Sequence, residues 1–351
     1  LLHLADENKS LKPIDMSKLM TSYLGIELRN PLIVGASALM ENIDNLKAIE
    51  KAGAGAVVFK SLFEEQIQLE ELEMENELQE YNERHAEMVK LFPTLKHAGP
   101  AEHLAKLKKV KETLGIPVIG SLNAMHPDTW AEYAQAIANT GVDAIELNFY
   151  TTPKNFEVEG KTIIQSQVET LLSVKETLKI PISVKLSPFY TNPLDVIRRF
   201  DETDIDGFVL FNRLFQPDID TEKEELVQSI ILSSSNDHRL PLRFVGLLYG
   251  NIAADICAST GIMTGNDAIK MILAGANSFQ IVSTLYKNGI DHITEMLAQI
   301  ESWMNKKGYK SLDDFRGKLA KKNLHDPFAY CRAQYVDILL RSNNIIKTTA
   351  I

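Results

Sequence analysis

Short apolar runs rich in Val and Ile recur along the chain, each followed by a polar loop and then by residues with helical spacing. The runs lack polar alternation, as strands buried on both faces do. Strands are expected near 31–36, 55–59, 116–121, 143–148, 181–186, 206–211, 254–259 and 278–283. Helical patterns cover Asp44–Ala52, Ala101–Leu114, Asp128–Thr140, Gln165–Leu178 and Thr264–Leu273. Gly53, Gly115 and Gly141 follow the first three, where a left-handed residue stops a helix. Thr264 is a good N-cap. Such alternation implies parallel strands with helical crossovers, and eight units imply an α/β (β/α)8 TIM barrel. The alternative is a doubly wound open sheet. No G-x-G-x-x-G follows the first strand, which argues against its dinucleotide-binding form.

Two stretches break the rhythm. Glu64–Val89 is long, Glu-rich and helical in propensity, and Arg213–Asn236 is a long polar insertion after the sixth strand. Insertions in strand-to-helix loops often form active-site lids; the plainer reading of the Glu-rich stretch is a solvated amphipathic helix. The expected organisation is an extension over 1–20, a single barrel domain over 21–319 and a helical tail over 320–351.

Composition narrows the function. The chain has 351 residues, a hydrophobic fraction of 45% and a formal net charge of −10. An acidic surface argues against a nucleic-acid partner. The two cysteines, Cys257 and Cys331, form no C-x-x-C pair, so no zinc or iron–sulfur site is expected and both read as reduced thiols. No apolar run approaches membrane-span length and residues 1–15 lack a signal-peptide pattern. The expectation is a cytoplasmic protein with no membrane partner.

A barrel places its chemistry at the C-terminal ends of its strands. The expected runs end in Ala36-Ser37, Lys60-Ser61, Ser121 and Asn123, Asn148 followed by Tyr150, Thr151 and Thr152, Lys185, Asn212, Ser259-Thr260-Gly261, and Ser283-Thr284. Buried Lys and Asn must be paired or they are costly. A ring of such groups suits a polar, multiply hydrogen-bonded ligand. Each also has a dull alternative: Lys60 could simply reach solvent, and Asn123 and Asn148 could form turns. Gly261 precedes the helix start at Thr264, and Ser283-Thr284 closes the eighth strand. Phosphate binding after strands seven and eight recurs in barrels, and a helix N-terminus favours it. The scattered His residues read as surface, except His126 beyond the third strand. No metal triad or protein nucleophile stands out, so a cofactor is expected to carry the chemistry.

These residues resemble the dihydroorotate dehydrogenase family of FMN barrels from about Thr21 to Leu319. The likeness rests on N-P-L-I-V-G-A-S, K-A-G-A-G-A-V-V-F-K-S, E-L-N at 146–148, V-K-L at 184–186, T-G-I-M-T-G-N-D-A and L-A-G-A-N-S-F-Q-I-V-S-T. The stretch M-N-K-K-G-Y-K-S-L-D-D-F-R-G-K-L is similar to the cytosolic class 1 enzymes. The resemblance implies that Ala36, Ser37, Lys60, Ser61 and Asn123 lie along FMN, and that Asn148 and Lys185 hydrogen-bond flavin or substrate. It implies that Gly246 lets backbone approach FMN, and that Thr260, Gly261, Ser283 and Thr284 hold its phosphate. Asn148, Asn155 and Asn212 would bind substrate. A homodimer is also implied.

The chain departs from the family in two loops. Where the family carries a Cys or Ser base in a loop like N-L-S-C-P-N, this chain reads N-F-Y-T-T-P-K-N. Thr151 or Thr152 then stands at the base position, with Lys60 nearby as the other catalytic candidate. The family's N-x-M-G-L-P-N loop has no counterpart, and the Glu-rich stretch occupies that region. The resemblance therefore implies an FMN-dependent dehydrogenase of pyrimidine biosynthesis, oxidising dihydroorotate or a related dihydropyrimidine. The alternatives are an FMN barrel with another small-molecule substrate, and a phosphate-binding lyase with Lys60 or Lys185 as Schiff base.

Overall fold

The computed structural model describes residues 15–68, 100–124, 127–150, 156–213, 216–227 and 230–341. Eight parallel strands form the centre: β1 (Leu32–Val34), β2 (Ala56–Val58), β3 (Val118–Asn123), β4 (Ala144–Phe149), β5 (Ile182–Leu186), β6 (Gly207–Leu210), β7 (Asp255–Ser259) and β8 (Ser278–Ile281). They run in sheet order β2-β1-β8-β7-β6-β5-β4-β3. Val57 pairs with Val118 and Val58 with Ile119, so β2 meets β3 and the sheet closes into a (β/α)8 barrel. The β2 ladder is interrupted at Lys60 and Ser61 and resumes at Leu62–Phe63, which pairs with Leu122 and Asn123.

Helices alternate with the strands: α1 (Ile43–Ala52), α2 (Ala101–Thr113), α3 (Pro127–Ala138), α4 (Gly160–Thr177), α5 (Pro193–Asp201), α6 (Arg239–Leu248) and α7 (Gly265–Ala274). After β8 come the short α8 (Ser283–Asn288), α9 (His292–Lys307) and the tail helix α10 (Arg332–Leu340). Local chemistry sets several boundaries. The Asn42 side chain accepts from the Asp44 amide to start α1, and Gly53 closes it at φ 110°. Thr264 and Asp267 form a reciprocal capping box on α7; such a cap contributes about 1 kcal/mol.

All eight expected strands form, each within two residues of its expected bounds. The eighth is shorter than expected: it stops at Ile281, and Ser283 opens a helix instead. The helix expected over Gln165–Leu178 starts earlier, at Gly160. The insertion after β6 contains an antiparallel hairpin, Asp218–Asp220 with Glu225–Val227.

The N-terminal mouth of the barrel is plugged. Thr21–Tyr23 and Ile26–Leu28 form a hairpin whose turn residues, Leu24 and Gly25, both have positive φ (58° and 70°), the geometry that matches strand twist. Tyr23, Leu24 and Leu28 pack with Ile33, Ala56, Val58, Ile119, Ala144, Val209 and Cys257. Gly207 makes room for this plug, because a Cβ there would come within 2.4 Å of the Leu24 side chain. With the floor sealed by apolar groups, only the C-terminal mouth can admit a polar ligand. Among the described residues no helix is long and apolar enough to cross a membrane.

Candidate active site

Polar side chains collect in the upper half of the barrel. The Asn148 amide donates to Ser121 Oγ at 2.8 Å and lies 3.3 Å from Ser61 Oγ. Ser61 Oγ and Ser121 Oγ share a 2.7 Å hydrogen bond. Beside them, Lys185 Nζ donates to Gln280 Oε1 at 2.9 Å and to Glu146 Oε1 at 3.3 Å. Gln280 Nε2 donates in turn to Glu146 Oε2, so the three side chains form a closed ring. β8 is not a neighbour of β4 or β5. Its Gln280 can reach Glu146 and Lys185 only across the interior, which fixes these groups inside the barrel.

At the rim, Ala36 and Ser37 follow β1. Ser37 Oγ is buried and has no hydrogen-bond partner among the described residues, a costly condition unless a ligand supplies one. The Lys60 ammonium pairs with Glu41 Oε1 at 2.7 Å, both partly exposed. Asn123, nearly buried, ends β3. The Asn212 backbone N–H donates to the Leu186 carbonyl at 2.7 Å, placing the residue between the ends of β5 and β6. Arg213 pairs with Asp237 at 2.6 Å. His103 lies against the Phe59 ring with centroids 5.2 Å apart. Burial, then the nearby Lys60 and Lys106 charges, pull its imidazole down to about 4.

The expected phosphate corner is differently built than its sequence suggests. Most amides around the N-terminus of α7 are engaged: Asp267 Oδ2 accepts from the amides of Met263 and Thr264, Gln299 Oε1 from that of Gly265, and Thr264 Oγ1 from that of Asp267. The side chains expected to grip phosphate are also engaged. Thr260 Oγ1 donates to the Phe211 carbonyl at 2.9 Å and Thr284 Oγ1 to the Met263 carbonyl at 3.0 Å. Ser283 Oγ accepts from the Ser233 amide at 3.0 Å. They buttress a loop in which Thr260 and Gly261 have φ of 80° and 75°. Gly261 is boxed in, since a Cβ would lie 2.3 Å from the His238 backbone nitrogen. An anion here would be held by backbone amides. Those of Ser283 and Thr284 open α8, where an intrahelical acceptor is lacking.

The structure therefore brings Ala36, Ser37, Lys60, Ser61, Asn123, Asn148, Lys185, Asn212, Thr260, Gly261, Ser283 and Thr284 to the upper interior and C-terminal end of one barrel. It does not bring Gly246 there. That residue lies well inside α6, and its missing Cβ makes room for Tyr330 of the tail. Thr151, Thr152, Asn155, His126, most of the Glu-rich stretch, and residues 1–14 and 342–351 lie outside the described residues. Glu146 and Gln280 were not singled out from sequence. The signal for both was a carboxylate or amide in the middle of a run buried on both faces. Cys257 is buried and its thiol is pushed up to about 12, chiefly by desolvation; Cys331 is exposed. Among the described residues no cluster could hold a metal ion.

These features fit FMN. Ser37 Oγ lacks a partner among the described residues, and Gly261 gives a closely approached backbone turn where the phosphate would lie. The Lys185 ammonium, held by Gln280 and Glu146, lies at the register level of Asn148, whose amide bonds Ser121; donors of this kind suit a flat heterocycle with carbonyl oxygens and ring nitrogens.

Fold and rim together define a (β/α)8 barrel whose described residues gather polar side chains at its C-terminal mouth. The sequence model described as dihydroorotate dehydrogenase matches residues 18–304, and the chain belongs to that family. It is 28% identical over 312 residues to the dihydroorotate dehydrogenase B (NAD(+)) catalytic subunit of Thermoplasma volcanium, covering 88% of this chain and 100% of that protein. It is 30% identical over 298 residues to the protein of the same description from Methanocaldococcus jannaschii, covering 82% and 93%. A putative dihydroorotate dehydrogenase A (fumarate) of Aeropyrum pernix is 30% identical over 230 residues, covering 64% and 74%.

Proposed function

We propose that the chain is an FMN-dependent oxidoreductase that oxidises dihydroorotate or a related dihydropyrimidine. The observation that carries this reading is the Lys185 ammonium, held inside the barrel by Glu146 and Gln280 at the register level of Asn148. Bound FMN supplies the two-electron acceptor that no protein side chain provides. The chain's own groups orient and bind. Lys185 and Asn148 would hold the polar edge of the flavin, and Ser37 and Ser61 would line its length. The loop at Thr260-Gly261 and the start of α8 would take the phosphate. Asn148, Asn155 and Asn212 would grip the substrate ring. Thr151 or Thr152 would take the substrate proton. An alcohol is a weak base without an activating partner.

A Schiff-base lyase is disfavoured, because Lys60 is paired with Glu41 and Lys185 is locked by two acceptors. A neutral amine nucleophile needs a site that disfavours the ammonium form. A second reading of the substrate has a specific support. Glu41 offsets the Lys60 charge at the mouth, which favours a dihydropyrimidine without the carboxylate of dihydroorotate. The barrel of residues 21–319 is proposed to carry the activity as a cytoplasmic homodimer, with 320–351 as an appended tail. An absorbance spectrum of the purified protein, before and after anaerobic dihydroorotate, tests the reading. Flavin absorbance that bleaches supports it; flavin bleached only by an uncharged dihydropyrimidine supports the second substrate; a colourless protein that takes up no FMN sinks both.

A further inference from the structure

We propose that Glu146 and Gln280 are positioning residues for Lys185, fixing its ammonium as the charged floor of the flavin site; this rests on the FMN reading above. The ring they form has one possible polarity. Lysine offers only donors and an ionised carboxylate only acceptors. Gln280 must therefore turn its oxygen to Lys185 and its nitrogen to Glu146. Two of the three ammonium donors are then used, and one remains for a ligand. Asn148 is the register partner of Lys185, two residues beyond Glu146 on β4. Lys185 is thus level with Asn148, and Glu146 stands one inward-facing position below.

Stability alone does not explain this arrangement. Glu146 is 0% exposed and Gln280 2%. Replacing a buried ion pair by packed apolar residues is often neutral or stabilising. The apolar cluster against the floor hairpin uses that solution, with Ile33, Ala56, Val58, Ile119, Ala144 and Val209. The ring is therefore kept at a cost, and what it secures is the place of one ammonium. Lysine has a long flexible stem, and without the two acceptors Lys185 would turn its head toward water at the mouth. A cation helps at a site of developing charge only when it is already in place.

The test uses the full chain loaded with FMN and titrated with sulfite, which needs no substrate. Sulfite adds reversibly to flavin N5, bleaches the flavin band and leaves negative charge along the N1–C2 carbonyl edge, so its affinity reports a fixed cation there. Lys185→Met is expected to weaken sulfite binding by about a hundredfold and Gln280→Leu by about tenfold, with Glu146→Gln weakening it less because the lost carboxylate charge itself favours the bound anion. In the Lys185→Met background neither second change should weaken it further, although either can still lower the melting temperature. Wild-type sulfite affinity in Gln280→Leu, which carries no charge change and serves if Glu146→Gln does not fold, overturns the proposal. So does additive weakening in the double variants. A wild-type chain that binds no FMN overturns the flavin reading itself, and is told apart by the missing flavin spectrum.

Discussion

Tyr330 occupies the notch that Gly246 leaves in α6: a Cβ on Gly246 would lie 2.0 Å from the Tyr330 hydroxyl oxygen. That hydroxyl donates to the Leu319 carbonyl at 2.8 Å, and Arg243 Nη2 donates to the Tyr330 carbonyl at 3.0 Å. The contact pins the tail to the barrel just before α10, a helix with no buried residue. Gly246→Ala should expel the ring and cost about 1–3 kcal/mol, as overpacking does. Tyr330→Phe removes one hydrogen bond and should cost at most about 1 kcal/mol. Limited trypsin digestion, cutting near Arg332 and Arg341, should release the tail faster from Gly246→Ala than from wild type. FMN content should not change. Equal digestion rates would show that the notch does not hold the tail, and lost flavin would show that the glycine serves the site.

Gly246 also shows where sequence reasoning reached its limit. The family resemblance places it near FMN, but the expected helices do not include 239–248, so the sequence does not say which way position 246 faces. The barrel itself was legible because strands buried on both faces leave long apolar runs, and the turns between them carry Gly and Pro. The rim was legible for the same reason: polar residues ending such runs have few other places to be. What escaped depends on contacts distant in sequence. Glu146 and Gln280 meet across the barrel, separated by 134 positions. The floor hairpin uses strands of only three residues, too short for a periodic signal. The amides at the start of α7 looked free for phosphate, but Gln299 reaches Gly265 from α9.

Gly261 should be indispensable to the phosphate corner. It combines a φ of 75° with a Cβ position only 2.3 Å from the His238 nitrogen. Gly261→Ala must move the loop that Ser233, Thr260 and Ser283 hold together. The expected result is at least about tenfold weaker FMN binding, equivalent to about 1.4 kcal/mol. Quenching of FMN fluorescence on titration measures this, and unchanged affinity would remove the corner from the cofactor site.

His103 should make stability depend on pH in a defined window. Its folded value of about 4 lies below the ordinary 6.5, because burial and the Lys60 and Lys106 charges disfavour the imidazolium. The unfolded chain therefore binds the extra proton first as pH falls. The stability tied to the neutral ring is fully present above about 6.5 and is lost as pH drops toward about 4. His103→Gln should remove that dependence. The melting-temperature advantage of wild type over the variant should shrink between pH 7 and pH 4, and a constant difference across that range would contradict the assignment.

The Lys60–Glu41 pair should tune substrate charge. Glu41 holds the Lys60 ammonium at 2.7 Å where the interrupted β2 ladder turns it toward the mouth. The pair is partly exposed, so its contribution to folding is small, roughly 0–1 kcal/mol. Its effect on a bound anion should be larger, since a desolvated ligand feels the uncompensated charge. Glu41→Gln leaves Lys60 without its carboxylate partner and should lower the KM for dihydroorotate by about three- to tenfold, with kcat little changed, as uniform binding requires. The same change should leave an uncharged dihydropyrimidine unaffected. Lys60→Met should raise the dihydroorotate KM instead. If both variants bind dihydroorotate as wild type does, Lys60 does not face the substrate carboxylate, and the pair serves only to join the loops after β1 and β2.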